Sequence, residues 1–123
     1  MERLGKRDRT RKALIVAGQR LMLPFLADVL RNAGLGAIIT YRFASPNTVR
    51  RAHPDLVVLD ADAGGSRPLE LIRRTRQHTS ARIVVITRTD DPAWNAVARA
   101  FGADTILGPC ADRHDLFTAV TAV

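Results

Sequence analysis

Short β-type runs alternate with segments of helical period down this 123-residue chain, and the alternation restricts it to a parallel sheet covered by helices on both faces. Ala13 to Val16 reads as a first strand. Leu21, Met22, Phe25, Leu26, Val29 and Leu30 then recur at helical spacing until Gly34, with Pro24 early enough to be tolerated. Ala37 to Tyr41 is the second strand, and Ser45-Pro46 starts a short helix through Arg51, serine as cap and proline at the first position. Leu56 to Leu59 is the third strand. After the Gly64-Gly65 turn, Leu69, Leu71 and Ile72 form the buried face of a third helix. Ile83 to Ile86 is the fourth strand, followed by Asp90 or Asp91 as cap, Pro92 in the first turn, and Trp94, Val97, Ala98 and Phe101 at i, i+3, i+4 and i+7. Thr105 to Leu107 is the fifth strand, and Asp112 caps a last helix whose opening acids suit the positive end of its dipole.

A chain of this length, 46% hydrophobic and 25% charged, has the composition of one globular domain with one core. No apolar run is long enough to cross a bilayer, and the charged N-terminus has no apolar signal region behind it, so the expected location is cytoplasmic, with no membrane partner. A lone cysteine, Cys110, makes no intramolecular disulfide and suits a reducing compartment.

The formal charge is +7, and residues 1 to 12 carry +4 of it through Arg3, Lys6, Arg7, Arg9, Arg11 and Lys12 against Glu2 and Asp8. Residues 1–11 therefore read as a flexible basic leader ahead of a folded domain at 12–123. The leader is either a solubilising arm or one that docks on nucleic acid or an acidic partner, and no aromatic residue is interleaved for base stacking. Arg73, Arg74 and Arg76 read as a cationic, solvated helix face. His53, His78 and His114 lack metal-ligand spacing, and Cys110 carries no signature of a reactive thiol. Neither Gly-x-x-x-x-Gly-Lys nor Gly-x-Gly-x-x-Gly follows a strand, so nucleotide binding is not expected.

Three stretches carry a resemblance: His53-Pro54-Asp55-Leu56-Val57-Val58-Leu59-Asp60, Ile83-Val84-Val85-Ile86-Thr87 and Gly102-Ala103-Asp104. Together with the element order they resemble the receiver domain of bacterial two-component response regulators over residues 12 to 123. The resemblance implies an α/β fold: a three-layer, doubly wound, five-stranded parallel sheet of flavodoxin-like order 2-1-3-4-5, with its site at the carboxyl ends of the strands. It places Asp60 at the phosphoacceptor position. The other pocket positions depart from the family's pattern. Typical receivers hold Mg²⁺ with two acidic residues after the first strand, where this chain has Ala17 and Gly18. The lysine expected near the end of the fifth strand is Pro109 in the ungapped register or Gly108 one residue away. Arg88 replaces the small residue after the hydroxyl-bearing Thr87, and Ile106 occupies the aromatic switch position.

Losing both metal carboxylates and the lysine removes most of the electrostatic stabilisation of phosphoryl transfer, so the chain reads as an atypical, or pseudo-, receiver. The leading expectation is a non-enzymatic regulatory module without cofactor. It would act through a protein partner or homodimer on the fourth and fifth helices and fifth strand, with a histidine kinase or an output domain among the partners the resemblance implies. Arg88 is a candidate counter-ion for Asp60. A second reading is a phosphorylatable receiver whose Mg²⁺ site is rebuilt with Asp62 or Asp90. A third is a nucleic-acid-associated protein using the basic leader. No helix-turn-helix fits after Val123, so the chain reads as stand-alone or as a fragment.

Overall fold

A computed structural model describes residues 11–16, 22–41, 46–61 and 67–121. Strands β1 (Lys12–Val16), β2 (Ala37–Tyr41), β3 (Leu56–Asp60), β4 (Arg82–Ile86) and β5 (Thr105–Leu107) alternate with helices α1 (Met22–Asn32), α2 (Pro46–Ala52), α3 (Pro68–His78), α4 (Pro92–Phe101) and α5 (Arg113–Thr121). Every strand pairing is parallel, and the sheet order is β2-β1-β3-β4-β5. β1 and β4 each begin one residue before their apolar runs, at Lys12 and Arg82, because ladder bonds need only the backbone.

All five residues of β3 are buried, which is why its sequence is a continuous apolar run rather than an alternation. Its side chains still divide by parity. Leu56 and Val58 join Ala13, Ile15 and Val84 under α1 and α5, through Leu26, Val29, Leu30, Leu116, Ala119 and Val120. Val57 and Leu59 join Leu14, Val16, Ile83 and Val85 under the opposite helices, through Val49 of α2, Ile72 of α3 and Ala98 of α4. Trp94 and Phe101 are half-buried against that second cluster, as are Leu69 and Leu71.

Two expectations about side-chain direction need correction. Phe25, placed on the buried stripe of α1, is 39% exposed. Leu26, Val29 and Leu30 complete the inward stripe, leaving Phe25 at its margin beneath the guanidinium of Arg113, 5.4 Å from the ring centroid. Arg113 also pairs with Asp28, tying α5 to α1. Arg76, grouped with the solvated arginines, turns inward instead. Its Nη1 donates to Gly102 O at 3.1 Å and to Asp104 Oδ2 at 3.2 Å, and its Nη2 donates to Thr79 O at 3.1 Å and to Ala81 O.

The helix ends follow the local chemistry. Asp91 caps α4 by accepting from Ala93 N at 3.0 Å, and Pro92 occupies the first turn. Gly102 ends α4 at φ 129°, a conformation that disfavours a β-carbon, and its N–H donates to Ala98 O and Arg99 O. At α5, Asp112 N donates to Asp115 Oδ2 and Asp115 N returns the bond to Asp112 Oδ1, both at 2.9 Å. The Asp115 N–H is the main cause holding the Asp112 carboxyl below its ordinary range. The expected Ser45 cap and Gly64-Gly65 turn lie outside the described residues.

Candidate phosphoacceptor site at the carboxyl ends of the strands

Parallel register brings the ends of β3, β4 and β5 to one rim. Asp60 is opposite Ile86, and Ile86 is opposite Leu107. Ala61 N donates to Ile86 O at 2.8 Å and Thr87 N donates to Leu107 O at 3.0 Å, so the ladder runs one residue past each strand. Asp60 and Thr87 thus sit on neighbouring chains, each only 4% exposed. Gly108 and Pro109 follow β5 directly, Gly108 half-buried and Pro109 exposed. Ile106 points to the α2–α4 side and packs against its cluster, as an apolar residue should.

The loop from β4 to α4 is held by a ladder of short side-chain bonds. Thr89 N donates to Thr87 Oγ1 at 3.2 Å, Asp91 N donates to Thr89 Oγ1 at 3.2 Å, and Ala93 N donates to Asp91 Oδ1. Each acceptor lies two residues ahead of its donor, the geometry that Thr and Asp adopt in turns. The signal was present in the sequence as acceptors at 87, 89 and 91, but Thr89 went unassigned. Thr87 Oγ1 is therefore engaged within its own loop. Arg88 is carried on this ladder and exposed. Both Asp60 and Arg88 take part in a polar or electrostatic interaction.

Ala17 and Gly18 lie outside the described residues, as does Asp62. Their chemistry is nonetheless fixed by identity: neither alanine nor glycine has a side-chain oxygen. Mg²⁺ prefers hard oxygen ligands in near-octahedral array, usually with one or two carboxylates. Around Asp60 the described rim supplies the Thr87 hydroxyl, an arginine, a glycine and a proline. Asp90, on the β4–α4 loop, is exposed. Among the described residues no group of three His, Cys, Asp or Glu side chains converges as a metal site. The donors among the described residues do not form the carboxylate array that Mg²⁺ prefers.

The other singletons are spread over the fold. His53 and His114 are exposed, with His53 at φ 47°, and His78 shares a 2.9 Å hydrogen bond with Arg50 Nη2. Cys110 is exposed beyond β5. It borders a shallow groove of about 650 Å³ along the β5 edge, whose lining includes Leu107, Ala111, His114, Asp115 and Thr118. β5 pairs only with β4, so this groove flanks a sheet edge. No described helix is long and apolar enough to cross a membrane.

No protein-family model matches the chain, and no curated protein sequence matches it. Solved structures do. A response regulator from Thermotoga maritima superposes with TM-score 0.77 at 22% identity, covering 90% of this chain and 94% of that one. A Burkholderia pseudomallei response regulator solved with a phosphorylated aspartic acid and a calcium ion gives 0.76 at 21% identity, over 89% of this chain and 65% of that one. A putative pilus assembly-related protein from the same organism gives 0.72 at 19% identity, over 90% and 87%. The chain has the receiver-domain fold.

Proposed function

We propose that this chain is a signal-transduction module of the receiver type that works without accepting a phosphoryl group, through contacts with a protein partner or a second copy of itself. The observation that carries the reading is the donor set around Asp60. A phosphoryl group in transfer needs its developing charge neutralised by metal and by a fixed cation. At the positions that supply these in typical receivers, this chain has Ala17, Gly18 and Gly108 or Pro109. Asp60 is retained there as a buried carboxylate at a strand end, and the neighbouring Thr87 hydroxyl accepts a loop N–H.

Fold alone does not imply phosphotransfer, and the similarity to a pilus assembly-related protein as well as to response regulators supports keeping fold and chemistry apart. The β5 edge supports the contact half of the reading. Its groove lies beside α5, where Leu107 and Ala111 stand near His114 and Asp115. Mixed apolar and charged surfaces of this kind suit a reversible interface. On this reading the protein needs no cofactor and is not an enzyme.

Incubation with acetyl phosphate and millimolar Mg²⁺, followed by intact-mass measurement, tests the proposal. The expected result is an unchanged mass in wild type and in Asp60→Asn. A phosphoryl adduct in wild type that Asp60→Asn abolishes would instead establish a rebuilt site, with Asp62 or Asp90 as the first residues to substitute.

A further inference from the structure

The two helical layers differ in charge. Within α1 and α5, Asp28 and Asp115 balance Arg31 and Arg113. Within α2, α3 and α4, six arginines (Arg50, Arg51, Arg73, Arg74, Arg76 and Arg99) face a single acid, Glu70. Arg67 adds another cation at the start of α3. Several of these groups are already committed. Arg76 is bonded internally, Arg73 holds Glu70 through three hydrogen bonds, and Arg50 bonds Asn47 and His78. Arg51, Arg67 and Arg74 are exposed and make no hydrogen bond or close salt bridge among the described residues, although Arg74 and Arg67 lie within the electrostatic reach of Glu70.

We propose that the α2–α3–α4 layer docks on double-stranded DNA through its phosphates, with Arg51, Arg67 and Arg74 as the contacting groups. Guanidinium forks match phosphate oxygens two at a time and are less strongly hydrated than ammonium groups, and every cation of this layer is an arginine. Arg67 and Arg74 lie seven residues apart, about 10 Å along α3 on one side of the helix. The 2.9 Å bond from Arg50 of α2 to His78 of α3 ties the two basic helices together. Lys12, which follows the basic leader in sequence, donates from Nζ at 3.3 Å to Ala52 O at the end of α2.

The same surface argues against other polyanions. A helix lying on an anionic membrane buries apolar side chains between lipids. Among the described residues, two of the three large exposed apolar side chains, Phe25 and Phe117, belong to the opposite layer. Single strands are gripped by aromatic platforms, whereas Trp94 and Phe101 are packed against the core. A face of arginines whose described aromatics pack against the core suits a duplex backbone, read by charge rather than by sequence.

Fluorescence anisotropy with a labelled 20-base-pair DNA duplex tests this, using wild type, the triple variant Arg51→Gln/Arg67→Gln/Arg74→Gln, its single-charge member Arg74→Gln, a deletion of residues 2–10, and Arg31→Gln as the single-charge control on the other layer. The triple variant is expected to bind on the order of tenfold or more weakly at 50 mM salt, with a logarithmic salt slope shallower by up to about 2.7, as the loss of three phosphate contacts requires. Arg31→Gln should bind like wild type. The pair Arg51→Gln/Arg74→Gln gives a second reading should the triple variant lose its folded circular dichroism signal. The proposal is overturned by wild type failing to bind, by full binding in the triple variant while the leader deletion abolishes it, or by wild type binding phosphatidylserine vesicles and not the duplex.

Discussion

Arg76→Ala is expected to lower the free energy of unfolding by about 3 kcal/mol in urea denaturation, far more than a surface arginine should. The reason is the number of acceptors that one guanidinium serves. It spans from α3 to the carbonyls of Thr79 and Ala81 in the turn entering β4, and to Gly102 and Asp104 in the turn entering β5. Asp104 Oδ2 in turn accepts from Ile83 N at 2.8 Å, so the cluster reaches the start of the central sheet. Charge-assisted bonds contribute more than neutral ones, but this side chain is 29% exposed and water partly replaces what is lost, so the contributions do not simply add. Arg76→Lys keeps the charge but not the fork, and should recover less than half of the loss. A shift in Arg76→Ala below about 0.5 kcal/mol, the range of ordinary surface changes, would show the guanidinium to be dispensable.

The second large effect lies across the same contact. Gly102→Ala should cost about 3 to 4 kcal/mol, from two sources. At φ 129° a β-carbon is strained whatever the space around it, and here it would stand 2.6 Å from Arg76 Cδ and 2.7 Å from Arg76 Cβ and Cγ. The arginine stem occupies the volume that glycine leaves. Combining the substitutions tests that statement. Arg76→Ala removes Cγ and Cδ but leaves Cβ, so the double variant should lose roughly 1 kcal/mol less than the sum of the single losses. Strict additivity would mean that backbone strain alone sets the cost of a side chain at this position.

The sheet was legible because burial on both faces leaves a direct imprint: β3 can only be a run of apolar residues, and its end is marked where Asp60 interrupts the run. The caps were legible for a similar reason, Asp112 outright and Asp91 as one of two candidates with Asp90, since the chemistry that satisfies a helix terminus is local in sequence. Arg76 was not read correctly, although a clue existed. It lies four residues after buried Ile72 and so shares that residue's side of α3, unlike Arg73 and Arg74. Its acceptors at 102 and 104 are brought near only by the crossover through β4 and α4, which no local pattern announces. Phe25 failed differently, because Leu26, Val29 and Leu30 face the sheet and Phe25 falls at the margin of their stripe. The basic layer needed the fold as well, because Arg51 comes to share a layer with Arg67 and Arg74 only once α2 and α3 are neighbours. At the site, the identities of Ala17, Gly18, Gly108 and Pro109 were readable from the chain, whereas the ladder that fixes the β4–α4 loop shows its acceptors in the sequence at 87, 89 and 91 but its bonds only in the geometry.

The claim that the rim around Asp60 no longer handles a phosphoryl group is tested most directly by thermal unfolding in the presence of Mg²⁺ and beryllofluoride, a phosphoryl mimic, with Asp60→Asn alongside. A ligand that binds only the native state must raise its melting temperature, by an amount that grows with concentration. The account predicts no shift in either protein at millimolar ligand. A concentration-dependent rise in wild type that is absent from Asp60→Asn would contradict it, because it would require a working metal-phosphoryl site where the chain has kept only the aspartate.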